Sequence, residues 1–70
     1  MKHRDLIRMV ARAARAGSLT WIQVRDIGDH EIWSLDGIRV SVPRHREVSE
    51  LTARGILKAL EPKLGKEWWR

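Results

Sequence analysis

Apolar positions in residues 3–16 recur at the helical period. Leu6, Val10, Ala13 and Ala14 stand at i, i+4, i+7 and i+8, the spacing that stacks side chains on one face of an α-helix. Arg4, Arg8, Arg12 and Arg15 keep the same period on another face, so the predicted helix is amphipathic with a guanidinium stripe. Gly17 follows the last turn as a stop. The period then changes. Residues 19–26 hold Trp21, Ile22 and Val24, types that suit a pleated surface, and predict a first strand. Ile27-Gly28-Asp29 is a turn, and residues 30–35 predict a second strand. Asp36-Gly37 is the dipeptide of a tight hairpin. Beyond it Ile38, Val40 and Val42 alternate with Arg39 and Ser41, which predicts a third strand over 38–42, ended by Pro43. Ser49 is suited to cap a second helix over 49–61, with Ala53, Ile56, Leu57, Leu60 and Leu64 on one side. Gly55 inside that helix costs about 1 kcal/mol relative to alanine, which a close backbone neighbour would offset. Pro62 is expected to end or kink the helix. Residues 62–70 then form a tail that finishes in Trp68-Trp69.

These elements predict one α+β domain over 1–70, in the order α-β-β-β-α. Two helices cover one face of a three-stranded antiparallel sheet and leave the other face open. Trp21 and Trp33 fall on strands, and the pattern does not assign either to the open or the covered face. A slip of one residue reverses every side chain.

Composition narrows the class. The hydrophobic share, 43%, is too high for a disordered chain. No apolar run approaches the roughly 18 residues of a membrane span. The basic start lacks the apolar core and cleavage site of a signal peptide, so the expected location is cytoplasmic. Cysteine is absent, which excludes a disulfide scaffold, a cysteine-ligated zinc site and a thiol nucleophile together. A core this small stabilises its chain by only about 3–5 kcal/mol, and a partner subunit would add to that.

The net charge of +5 is unevenly spread. Residues 1–25 carry six bases against Asp5 alone. Residues 26–37 carry Asp26, Asp29, Glu31 and Asp36 and no base, while residues 38–46 carry Arg39, Arg44 and Arg46 and no acid. Basic patches attract polyanions, although a charged helix face also serves solubility alone. Arginine supplies 10 of the 14 bases, and its fork pairs two phosphate oxygens at once.

Few residues carry chemistry. No HExxH pair, nucleophile elbow or phosphate-binding glycine loop occurs. His30 follows the Gly28-Asp29 turn and opens a strand. Imidazole is the side chain whose ordinary titration lies nearest neutral pH. RNA brings its own nucleophile, the 2′-hydroxyl. Its cleavage needs only a group to take that proton, a group to protonate the leaving oxygen, and cations around the phosphate. On the residues alone, the plainer alternative is that His30 is a surface strand residue with no task. His45 lies in Val42-Pro43-Arg44-His45-Arg46, a candidate phosphate-binding loop or a solvated basic one. His3 does no more, on this reading, than begin the first helix.

Three motifs and the second helix together resemble the HicA toxins, the ribonuclease component of bacterial HicA–HicB toxin–antitoxin pairs. The start Met-Lys-His-Arg-Asp-Leu-Ile-Arg at 1–8 looks like the family's first helix. Gly28-Asp29-His30-Glu31-Ile32-Trp33 looks like its Gly-Ser-His-x-x-aromatic signature. Val40-Ser41-Val42-Pro43-Arg44-His45 looks like its Val-x-Val-Pro-x-His segment, and residues 49–60 resemble its second helix. The similarity runs over about residues 1–61. It implies a fold like a double-stranded-RNA-binding domain and a metal-independent endoribonuclease acting on mRNA, with no cofactor. It implies His30 as the catalytic histidine and a HicB-like antitoxin as partner, with operator DNA bound only through the antitoxin complex. The expected RNA-binding residues are Arg4, Arg8, Arg12, Arg39, Arg44 and His45. The chain departs from the pattern at Asp29, where serine or glycine is common, and at Glu31, where many relatives carry a second histidine. Asp29, Glu31 and Asp36 are expected to make the hairpin acidic and to repel RNA locally; either Asp29 orients or tunes His30, or this member of the family is weak. Two other readings use the same residues: a non-catalytic double-stranded-RNA-binding module, and a small interaction protein whose charge docks it to an acidic partner.

Overall fold

In the computed structural model, which describes residues 1–70, helix α1 spans His3–Ala16 and buries Leu6, Val10 and Ala14. Strands β1 (Trp21–Ile27), β2 (His30–Leu35) and β3 (Ile38–Pro43) form an antiparallel sheet in the order β1-β2-β3. Helix α2 spans Glu50–Ala59, and the Ser49 hydroxyl accepts from the Thr52 amide at 3.2 Å, capping its first turn. Leu35, Val40 and Val42 of the sheet, Val48 of the following loop, and Ala53, Ile56, Leu57 and Leu60 of the α2 segment join the buried α1 residues in one apolar cluster. Both long helices therefore cover the same face of the sheet. Each fully buried leucine or valine there contributes about 1.5–3 kcal/mol.

Element boundaries differ from the sequence reading: β1 runs Trp21–Ile27 rather than 19–26, β3 takes in Pro43, and α2 ends at Ala59 rather than 61. Strand β1 begins at Trp21, because Leu19 and Thr20 are bonded elsewhere. The Leu19 amide donates to the Ala14 carbonyl at 2.8 Å, and the Thr20 amide to Asp36 Oδ1 at 2.7 Å. Pro62 does not open a loose tail. It sits in the first turn of a short helix α3, Glu61–Leu64, where its missing N–H costs nothing. The chain then folds back. Trp68 Nε1 donates to the Leu57 carbonyl at 2.9 Å, and Trp69 meets Trp68 edge to face at 6.0 Å. Both indoles pack on the helical side, against the core. Around Gly55 nothing lies within 4 Å of where a Cβ would stand, so no backbone approach offsets the glycine there.

The register settles which residues share a face, since directly opposed residues point the same way. On the helix side the cross-strand rows are Trp21–Leu35–Ile38, Gln23–Trp33–Val40 and Asp26–Glu31–Val42. On the open side they are Ile22–Ser34–Arg39, Arg25–Ile32–Ser41 and Ile27–His30–Pro43. Trp21 and Trp33 stack at 4.7 Å with 22° between their planes. Both lie on the helix side, which the sequence pattern left open. Val24 is the extra residue of a β-bulge between Gln23 and Arg25. A bulge re-aims the side chains beyond it. Here it turns Asp26 to the helix side and Ile27 to the open side beside His30.

Two main-chain bonds stitch the start of the chain to the loop before α2. The His3 amide donates to the Arg46 carbonyl at 2.9 Å, and the Val48 amide to the Met1 carbonyl at 2.8 Å. Lys2 is thereby bridged to Glu47.

Candidate functional site

The β1–β2 hairpin and the loop after β3 meet at one end of the sheet. Gly28 opens the turn with φ 59°, in the left-handed region that favours glycine. Asp29 follows, and its carbonyl accepts from the Arg44 amide at 2.7 Å, which pins the loop to the turn. His30 Nδ1 donates to Asp29 Oδ1 at 2.8 Å. From the loop, His45 brings its Nε2 to 3.9 Å from Asp29 Oδ2. One carboxylate thus stands between two imidazoles. The side chains of His30, His45 and Asp29 are 45%, 64% and 69% exposed, open to a large ligand.

The carboxylate sets the state of the ring. An ionised carboxylate only accepts, so Nδ1 of His30 carries the proton. In the neutral ring the lone pair then lies on Nε2. In return the imidazole holds the Asp29 carboxyl below its ordinary range, chiefly through this hydrogen bond, helped by a main-chain hydrogen bond and by the charges of His30 and His45.

The neighbouring groups are also matched. Arg44 Nη2 lies 2.6 Å from Asp26 Oδ2, and this bond pushes the guanidinium further above its usual range. Gln23 donates to the other oxygen of Asp26. On the helix side Glu31 Oε1 accepts from His3 Nε2 and from Trp33 Nε1, both at 2.9 Å. Asp36 receives the Thr20 amide. The acidic run of the hairpin is therefore no uniformly repulsive face. Asp26, Asp29 and Glu31 each meet a basic side chain.

Of the residues read from the sequence, His30, His45 and Arg44 come together at this end. Arg44 is held by Asp26 rather than free. Arg4 and Arg8 border a cavity of about 350 Å³ with His3, Ile7, Gln23, Glu31 and Trp33, next to the site. Arg12 faces Trp68 and Trp69 across a separate cavity. Arg39 lies on the open face opposite Ser34, four residues along the strands from His30, or about 14 Å. The arginines do not form one surface. His3 is the residue the sequence reading passed over. Strand alternation set Glu31 and Trp33 on one face, but nothing local said that the first helical residue would meet them.

No group of three His, Cys, Asp or Glu side chains is arranged to hold a metal ion. No helix is long and apolar enough to cross a membrane. Comparison with protein-family models, curated proteins and solved structures finds no match to this chain.

Proposed function

We propose that this chain is a metal-independent endoribonuclease of the HicA toxin type, cutting mRNA with His30. The observation that carries the reading is the Asp29 carboxylate between His30 and His45, at 2.8 and 3.9 Å. The α-β-β-β-α order, like that of a double-stranded-RNA-binding domain, supports it, as do the motifs around His30 and His45.

The chemistry follows from the proton positions. His30 Nε2 takes the proton of a ribose 2′-hydroxyl. The 2′-oxygen forms a bond to the adjacent phosphorus, and the bond from phosphorus to the 5′-oxygen breaks. Protonated His45 gives its proton to that leaving oxygen. The products are a 2′,3′-cyclic phosphate and a 5′-hydroxyl, and the two imidazoles have exchanged protonation states. Acid–base help of this kind is worth about 10²–10⁴-fold. Cytoplasmic mRNA is the substrate on this reading, and a HicB-like antitoxin that covers the hairpin end is the inhibitor. Operator DNA is bound only through the complex of the two.

The test is incubation of the chain with mRNA in EDTA, with products separated on a gel. New fragments are expected. Loss of cutting in EDTA contradicts the metal-free account. Salt-sensitive binding to duplex RNA without cutting replaces it with the non-catalytic module, and no binding at low salt removes RNA altogether.

A further inference from the structure

Beside the histidine site the main-chain stitch assembles a second feature. Lys2, His3 and Arg4 meet Arg46 around a cavity of about 200 Å³ whose lining contains no carboxylate and no apolar residue. These residues come from chain segments more than 40 positions apart. The His3 amide to Arg46 carbonyl bond, with the Lys2–Glu47 bridge, holds the segments together. Lys2, Arg4 and Arg46 are exposed and make no ion pair. Two nearby acids are engaged, Glu31 by His3 and Trp33 and Glu47 by the terminal amine at 3.5 Å, while Asp5 in the first turn of α1 lies outside the cavity lining.

This cleft adjoins a cavity that reaches His45, and His30 lines neither of the two. That second cavity, of about 240 Å³, is lined by His3, Glu31, Arg44, His45 and Arg46. His3 and Arg46 are common to both. Lys2, Arg4 and Arg46 are kept close by main-chain bonds, with no carboxylate in the cavity lining. Their complement is an anion, and the arginine forks match the paired oxygens of a phosphodiester.

We propose that Lys2, Arg4 and Arg46, around the cleft beside the His3–Glu31 pair, form a phosphodiester subsite, which holds a phosphate of the RNA strand flanking the link presented to His30 and His45. The substrate is then a strand that continues past the cut, engaged at two points. The proposal rests on the ribonucleic-acid reading above, and its test is kept separate from cleavage.

The probe is a single-stranded 2′-O-methyl RNA 12-mer, which has no free 2′-hydroxyl to attack. Its affinity for the full chain is measured against salt concentration. Lys2→Ala/Arg46→Ala is expected to weaken binding roughly tenfold at low salt and to flatten the log–log salt slope by about 0.7 for each phosphate that is no longer neutralised. Arg54→Ala/Lys58→Ala removes the same charge from α2 and is expected to leave both quantities nearly unchanged. Thermal melting checks that each variant is folded. Side-chain truncation spares the main-chain stitch, and Lys2→Gln alone carries the test where the double variant does not fold. Equal losses in the two double variants reduce the cleft to general charge and overturn the proposal. So does wild-type affinity and slope in the cleft variant, or no binding of the 12-mer at low salt. A chain that binds the probe through the cleft yet cuts no mRNA overturns the ribonuclease reading and keeps the subsite.

Discussion

Two imidazole–carboxylate pairs lie on opposite faces of the same short strand. His30 and Asp29 stand at the mouth of the hairpin with side chains 45% and 69% exposed. His3, the first residue of α1, and Glu31 on the helix side of β2 have side chains 24% and 14% exposed. The bond lengths are nearly equal, 2.8 and 2.9 Å, so the difference is one of surroundings. Glu31 has a second donor in Trp33, and its pair locks the first turn of a helix to the sheet. Asp29 instead has a second imidazole in His45, and the far nitrogen of His30 is left for a ligand. Sheltered and fully partnered, the pair is architecture. Exposed and incompletely partnered, it is available for proton transfer.

Substitutions tell the two pairs apart. The largest effect is expected from His30→Ala, which lowers RNA cleavage by about 10²–10⁴-fold with little change in melting temperature. Next comes Asp29→Asn. The amide no longer holds the proton on Nδ1, and the rate falls by about tenfold or more, read as kcat with KM little changed. The loss is smaller than for a buried orienting carboxylate, because water competes at an exposed site. His3→Ala is expected to do the reverse. It removes a hydrogen bond to a carboxylate that stays half-sheltered, costs about 1–2 kcal/mol, and lowers the melting temperature by several degrees, with cleavage kept within a few-fold. A His3→Ala chain that melts normally but cuts poorly would dissolve the distinction between the two pairs.

The smallest effect is in acid. Asp29 has its carboxyl held low in the folded chain. Its pairing therefore contributes at pH above the unfolded value, and the contribution is lost as pH falls through the folded one. Melting followed between about pH 5 and pH 2 should show a slightly steeper loss for the wild type than for Asp29→Asn.

Most of the scaffold was legible because its signals are local. The four-residue period of Leu6, Val10 and Ala14 marks the buried face of α1. Asp36 and Gly37 take positive φ, 45° and 95°, as a tight hairpin of this kind requires. Ser49 caps α2 as its type suggests. What stayed hidden depends on pairing between distant segments. The bulge at Val24 carries no sequence mark, yet it decides that Asp26 meets Arg44 and that Ile27 flanks His30. The sides taken by Trp21 and Trp33 follow from that register. At the candidate site His30, His45 and Arg44 were visible as residue types in a motif. That Asp29 would stand between two imidazoles, that Asp26 would hold Arg44, and that His3 would reach Glu31 came only from the folded chain. The arginines were legible as a class and misleading as a group, since Arg12 and Arg39 lie away from the site that Arg4 borders.

If the imidazoles at Asp29 move protons for RNA's own 2′-hydroxyl, the ends of the fragments must carry the mark of it. End-group analysis by mass spectrometry, for the wild type and His30→Ala in EDTA, tests this most directly. The wild type should leave 2′,3′-cyclic phosphate and 5′-hydroxyl ends, and the variant should leave almost none. Fragments with 3′-hydroxyl and 5′-phosphate ends, or unchanged cutting by a folded His30→Ala chain, would contradict it.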